Sequence, residues 1–105
     1  MTKEITNGDK SLKSRKPLQV EKRQAAGEYL KLVRTEANLT QRELALKVGF
    51  DYYTFISQLE GGHGRLPDVQ WAVYADAVGV SRKEFCEKLL FHYQPELHAM
   101  LGIKL

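Results

Sequence analysis

One segment of this 105-residue chain limits its possible folds more than any other: a short helix with a clear start and a clear end. Thr40 is a favourable N-cap residue, and Glu43 completes a capping box three positions later. Gly49 follows where a helix ends in the left-handed conformation, which only glycine adopts at little cost. Leu44 and Val48 form an apolar face, which predicts that this helix packs against the rest of the chain.

The sequence on either side of this segment predicts two more helices. Residues 18–37 carry a single apolar stripe, with steps of four, three and four, that is typical of a helix. The stripe consists of Ala26, Leu30, Val33 and Ala37. Residues 51–59 predict a third helix, which Asp51 caps. Its inward-facing residues are Phe55, Ile56 and Leu59.

Two further helices are predicted in the second half of the chain. The first covers residues 67–78, and its expected inner face consists of Val69, Ala72, Val73 and Ala77. Ser81 then caps a fifth helix over residues 81–93, which Pro95 interrupts. The sequence therefore predicts an all-α protein with five helices and no strand.

Charge and composition divide the chain into three parts. The net charge is +3, and residues 1–23 contain seven lysines and arginines against three acidic residues. Residues 24–105 contain nine against ten, so the basic excess lies in an N-terminal arm on a nearly neutral body. We therefore divide the chain into a flexible basic arm (1–17), a helical domain (18–93) and an apolar tail (94–105).

Several features predict a cytoplasmic protein without enzymatic activity. The single cysteine, Cys86, cannot form an internal disulfide and fits a reducing compartment. No apolar run approaches the length of a membrane span, and the first twenty residues lack the apolar core of a secretion signal. His63, His92 and His98 show no metal-ligand spacing. No nucleophile has an evident base partner, so we expect no metal, no cofactor and no catalysis.

The second and third predicted helices meet the physical requirements of a helix-turn-helix. Two short helices that cross steeply need a small residue at the crossing, which is Ala45. The turn between them needs a residue that tolerates a positive φ, which is Gly49. The outer face of the later helix must stay polar so that it can meet the edges of DNA bases. That face carries Tyr53, Thr54, Ser57 and Gln58.

Residues 39–67 read LTQRELALKVGFDYYTFISQLEGGHGRLP. The TQRELA start and the ISQLEGG end together resemble the phage-repressor type of helix-turn-helix, the Cro/cI-like or XRE family. The ADAVGVSRKEF that follows resembles the end of the same domain, so that the resemblance covers residues 20–90. It implies a compact five-helix phage-repressor-like domain that binds double-stranded DNA and regulates transcription, as a repressor.

The resemblance also implies roles for individual residues. Base contacts are expected from Tyr53, Thr54, Ser57 and Gln58. Contacts with the DNA backbone are expected from Gln41, Tyr52, Gly61, Gly62, His63 and Arg65. Arg34 and Glu60 match positions that form an internal ion pair in some relatives. The chemistry agrees, because glutamine can contact adenine through two hydrogen bonds and arginine is a frequent phosphate partner.

The chain departs from the family pattern at one point. Seven steps separate Gly49 from Ile56, where most members have six, and the extra residue lies before Tyr53. We align the recognition helix, which is the third helix, from its C-terminal end, where the register is regular. The alternative is that the extra residue turns Tyr52 toward the bases in place of Gln58.

The fifth helix and the tail predict a homodimer. Apolar residues of the tail need a cover, and paired domains read paired half-sites on DNA. The expected contacts are Phe85, Leu89, Leu97, Met100, Leu101 and Ile103. The alternative function is an antitoxin-like module that neutralises a partner protein through its tail, with DNA binding secondary.

Overall fold

Helices account for most of the chain that the structure describes. The computed structural model describes the backbone of residues 17–103 and the side chains of residues 23–103. Within this part there is no strand, and the six α-helices are α1 (Pro17–Glu36), α2 (Gln41–Val48), α3 (Thr54–Glu60), α4 (Trp71–Val78), α5 (Arg82–Tyr93) and α6 (Pro95–Met100). The all-α class is confirmed, with one helix more than predicted. Apart from Pro17, the predicted basic arm lies outside the described residues. No described helix has both the length and the apolar character needed to cross a membrane.

The ends of α2 agree with the sequence prediction. The Glu43 amide donates to the Thr40 hydroxyl over 3.1 Å, and the Thr40 amide donates to the Glu43 carboxylate over 2.8 Å. Gly49 ends the helix with φ at 83°, and its amide donates back to the carbonyls of Ala45 and Leu46. Both caps satisfy backbone groups that a helix end leaves without partners, so α2 has fixed limits.

The start of α3 differs from the prediction. Asp51 was expected to cap a helix over residues 51–59, but the helix begins at Thr54 with Tyr53 as its N-cap residue. The rings of Phe50 and Phe55 meet edge to face, with their centres 4.9 Å apart. Because Phe50 folds against the first turn of α3, the residues between them form the connection and Asp51 stays outside the helix.

One hydrophobic core is shared by α1, α2, α3, α4 and α5. α1 packs against α3 and α5, while α2 packs against α3 and α4. The largest fully buried side chains are Tyr74, Phe85, Leu30, Leu44, Ile56, Leu59, Leu66 and Leu89. The rings of Tyr74 and Phe85 stack with their centres 5.5 Å apart. Every helix from α1 to α5 therefore contributes to one core.

The buried face of α4 is not the predicted one. The buried residues are Trp71, Tyr74, Ala75 and Val78. In the predicted inner face, Val69, Ala72 and Val73 are exposed and Ala77 is half-buried. A 3-10 helix (Asp68–Gln70) precedes α4, so the α-helix also begins later than expected. The Trp71 indole N–H donates to the Leu66 carbonyl over 2.9 Å, which holds the aromatic face inward.

The tail contains a sixth helix that the sequence reading missed. The sequence predicts that Pro95 interrupts the helical structure, but Pro95 stands in the first turn of α6. Proline suits that position because its fixed φ is helical and its missing N–H needs no partner there. α6 packs against α5 and buries His98, whose ring meets the edge of Phe91 with the centres 5.2 Å apart.

Candidate nucleic-acid interface

α3 presents a polar outer face on a helix that is anchored from the other side. Ile56 and Leu59 are fully buried in the core. Thr54, Ser57 and Gln58 are exposed to solvent. Since residues three and four apart share a face of a helix, Thr54 and the pair Ser57 and Gln58 form one polar surface. The four predicted base-contacting positions include these three, and the fourth, Tyr53, is exposed at the start of the helix.

The C-terminal end of α3 is fixed by the predicted ion pair. The Arg34 guanidinium donates from Nε to Glu60 Oε2 over 2.6 Å and from Nη2 to Glu60 Oε1 over 3.0 Å. Its Nη1 donates to the Leu39 carbonyl over 2.8 Å. The side chains of Arg34 and Glu60 are only 11% and 5% exposed. The hydrogen bond with Glu60 raises the pKa of Arg34 above its usual value, so the guanidinium stays charged.

Gln41 joins this cluster, which the sequence reading did not foresee. Its side-chain amide donates from Nε2 to Glu60 Oε1 over 3.0 Å. The residue was expected to contact a DNA phosphate. One of its two amide hydrogens is used inside the protein, and the expected phosphate contact stays a prediction. Glu60 thereby connects the end of α3 with both α1 and the start of α2.

Gly27 determines how closely α1 approaches α3. A Cβ atom at this position would lie 2.6 Å from the Leu59 carbonyl oxygen and closer still to that of Glu60. Any side chain would therefore push α1 away from the end of α3. The sequence reading did not select Gly27, although a glycine inside an amphipathic helix is a signal for close packing.

The loop after α3 is folded more tightly than expected. The amides of Gly61, Gly62 and His63 donate to the carbonyls of Ser57, Leu59 and Gln58 respectively. The backbone N–H groups of Gly61 and Gly62 therefore have partners inside the protein, and the DNA-backbone contacts expected of these two residues stay a prediction. Gly62 is also buried against Gln24 of α1.

The other two residues predicted in this loop keep polar groups near the surface. His63 is exposed. Arg65 is half-buried, forms an ion pair with Asp68 at 3.2 Å, and lies 5.0 Å from the centre of the Tyr93 ring. A phosphate contact from Arg65 would therefore share its guanidinium with Asp68.

The connection between α2 and α3 carries two exposed tyrosines. Tyr52 is 74% exposed, which leaves its ring free to meet a partner. One face of the Tyr53 ring is covered by Arg42, whose guanidinium carbon lies 4.3 Å from the ring centre. Arg42 was not among the predicted site residues. An open groove of about 240 Å³ lies beside this pair, lined by Arg42, Ala45, Leu46, Phe50, Asp51 and Tyr53.

The predicted dimer contacts fall into two groups. Phe85 and Leu89 are fully buried in the core of their own chain, so the prediction that they contact a second copy is wrong. Ile103 packs against the same core. Met100 is 82% exposed, and Leu97 and Leu101 are also exposed. Of the six predicted dimer contacts, these three are therefore the ones that are exposed.

The described residues contain no group of three histidine, cysteine or acidic side chains placed to hold a metal ion. Comparison of the chain with protein-family models and with curated proteins finds no match.

Proposed function

We propose that the protein binds double-stranded DNA in a sequence-specific manner and regulates transcription as a repressor. In this proposal α2 and α3 form a helix-turn-helix, and α3 lies in the major groove. The observation that carries it is the exposed surface of Thr54, Ser57 and Gln58 on a helix whose opposite side is fully buried.

The chemistry of this surface suits base edges. A glutamine can donate to and accept from adenine, and serine and threonine hydroxyls can do either with several bases. The major groove admits one α-helix, and about three or four side chains on the outer side of such a helix reach base edges. α3 offers this combination of short polar side chains without a carboxylate on its outer face.

The support behind α3 strengthens the proposal. Specific recognition needs side chains held within a few tenths of an ångström, which requires rigid elements beneath them. The Arg34–Glu60–Gln41 cluster and the close contact at Gly27 fix the end of α3, while Ile56 fixes its middle. The entropy lost when the side chains of α3 become ordered on binding is therefore small.

A second candidate is the antitoxin-like module. The observation that favours it is the exposed apolar surface of Leu97, Met100 and Leu101, since such surfaces mark protein contacts. In this reading the partner protein covers α6. A Met100→Glu variant that loses a protein partner but binds DNA as before would support this role alongside DNA binding.

The test of the main proposal is a selection of bound sites from a pool of random duplexes, with wild-type protein and with Gln58→Ala. We expect the wild type to enrich one motif and Gln58→Ala to relax it at one base pair. The matched control is Tyr52→Ala, which should leave the motif unchanged. If Tyr52→Ala abolishes the motif while Gln58→Ala preserves it, the register assigned to α3 is wrong. A pool without enrichment would overturn the proposal.

A further inference from the structure

Arg42 is a cation for which neither the sequence motif nor the ion pairs of the fold provide a role. Four other cationic side chains pair with carboxylates, and these are Arg34, Arg65, Arg82 and Lys83. Within the part of the chain that the structure describes, Arg42 has no such partner. Asp51 lines the same groove but forms no ion pair with it. Instead the guanidinium lies against Tyr53.

The contact with Tyr53 fixes where this charge lies. Arg42 stands in the first turn of α2, and Tyr53 is the N-cap residue of α3. The guanidinium is therefore held at the start of both helices, next to the outer face of α3. An arginine that stacks on a ring keeps its N–H donors in the plane of the guanidinium group and free for a planar, two-point contact.

A polyanion is the ligand that best fits a cation held in this way. Residues 24–105 have ten acidic side chains against nine lysines and arginines, so they carry no net positive charge that would attract DNA. Arg65, the cation expected at the interface, already pairs with Asp68. Arginine and phosphate make strong two-point contacts, and Arg42 projects from α2 instead of from the base-facing helix.

We propose that Arg42 contacts a DNA phosphate beside the groove in which α3 lies, and that Tyr53 is the residue that positions it. This inference rests on the proposed DNA binding and adds to it. It changes the role of Tyr53, which the sequence assigned to base reading, because one face of its ring carries the guanidinium.

The salt dependence of binding tests this contact. The wild type and Arg42→Gln are titrated with the selected duplex between 50 and 200 mM salt. Each phosphate contact makes the slope of log K against log salt steeper by about 0.9. Between 50 and 200 mM salt, the affinity of Arg42→Gln should therefore fall by a factor about three times smaller than that of the wild type. Lys83→Gln removes the same charge from the exposed surface of α5 and should keep the wild-type slope.

Two variants of Tyr53 test the positioning role. Tyr53→Phe keeps the ring face and should keep the wild-type slope. Tyr53→Leu should shift the slope toward that of Arg42→Gln, and the double variant should add no further change. Thermal melting of each variant confirms that it is folded.

Three outcomes would overturn the inference, and they separate it from the proposed function. If Arg42→Gln binds the selected duplex with the wild-type slope, Arg42 makes no phosphate contact although DNA binding stands. If the variant instead changes the preferred base at one position, Arg42 contacts a base. If the wild type binds no duplex at all, the proposed function fails and this contact with it.

Discussion

Glu60 is the side chain on which the placement of α3 depends most. Its carboxylate accepts two hydrogen bonds from Arg34 and one from Gln41, and all three come from elements outside α3. A buried carboxylate is tolerated only when such donors surround it. The residue therefore links the stability of the fold to the position of the surface proposed to read DNA.

The first prediction concerns the coupling of this pair. Arg34→Met and Glu60→Gln should each lower the free energy of unfolding by about 3 kcal/mol, because each leaves a buried group without its partner. The double variant should lose much less than the sum of the two. Denaturant unfolding of all three variants measures the coupling, and additive losses would contradict the contact. Arg82→Met, which breaks an exposed pair with Asp76, should change stability far less.

The second prediction concerns stability at alkaline pH. Burial, with a smaller effect of Glu84, raises the pKa of Tyr29 from 10.0 to about 12. The folded state thus favours the protonated phenol, so this contribution is complete below pH 10 and is lost as the pH rises through 12. Among the described residues the Tyr29 hydroxyl has no hydrogen-bond partner, so Tyr29→Phe should be harmless at pH 7. Melting temperatures should fall less steeply for this variant than for the wild type above pH 10, whereas the exposed Tyr52→Phe should follow the wild type. Equal slopes for Tyr29→Phe and wild type would contradict the assignment.

At the scale of the elements, the contact between α1 and α3 depends on a missing side chain. Alanine is the better helix former, so Gly27→Ala would stabilise an isolated α1 by about 1 kcal/mol. In the fold, however, the new Cβ would lie 2.6 Å from the Leu59 carbonyl oxygen. We therefore expect a net loss of about 1–3 kcal/mol.

Denaturant unfolding checks this third prediction. Glu28→Ala changes the next residue on the exposed side of α1 and should stay within about 0.5 kcal/mol of the wild type. If Gly27→Ala proves more stable than the wild type, the close approach of α1 to α3 is wrong.

Helices whose ends and buried faces are determined by nearby residues in the sequence could be predicted. The caps of α2 at Thr40 and Gly49 and the stripe of α1 through Leu30 follow from backbone hydrogen bonds and a clear period. The polar surface of α3 follows for the same reason, because Ile56 and Leu59 define its inner side.

Helix ends and buried faces that depend on tertiary packing could not be predicted. α4 has only one residue that is not apolar, Asp76. The spacing of apolar residues along α4 therefore does not indicate which side of the helix is buried. The rings of Trp71 and Tyr74 decide it, because they bury the most surface. The contact of Phe50 with Phe55 likewise delays the start of α3, and two residues far apart in the chain, Gly27 and Glu60, come together only in the fold.

At the scale of the whole molecule, the exposed end of α6 predicts self-association. Met100 is 82% exposed on a helix whose other side packs against α5. We expect a homodimer at a protein concentration of roughly tens of micromolar, a range that detects weak dimers. Met100→Glu should give a monomer, since a carboxylate would be desolvated at the contact.

Sedimentation equilibrium measures this fourth prediction. Val69→Glu places the same charge at another exposed apolar residue and should leave the dimer intact. A wild type that sediments as a monomer would show that α6 contacts no second copy, and the antitoxin-like candidate would then be the remaining use for this surface.

The central claim is that α3 recognises a DNA sequence. The most direct measurement is a titration of the wild-type chain with the selected duplex and with a duplex of the same composition in scrambled order, at one salt concentration. The account predicts that the selected duplex binds at least about 1,000-fold more tightly than the scrambled one. Equal affinity for the two duplexes would contradict it.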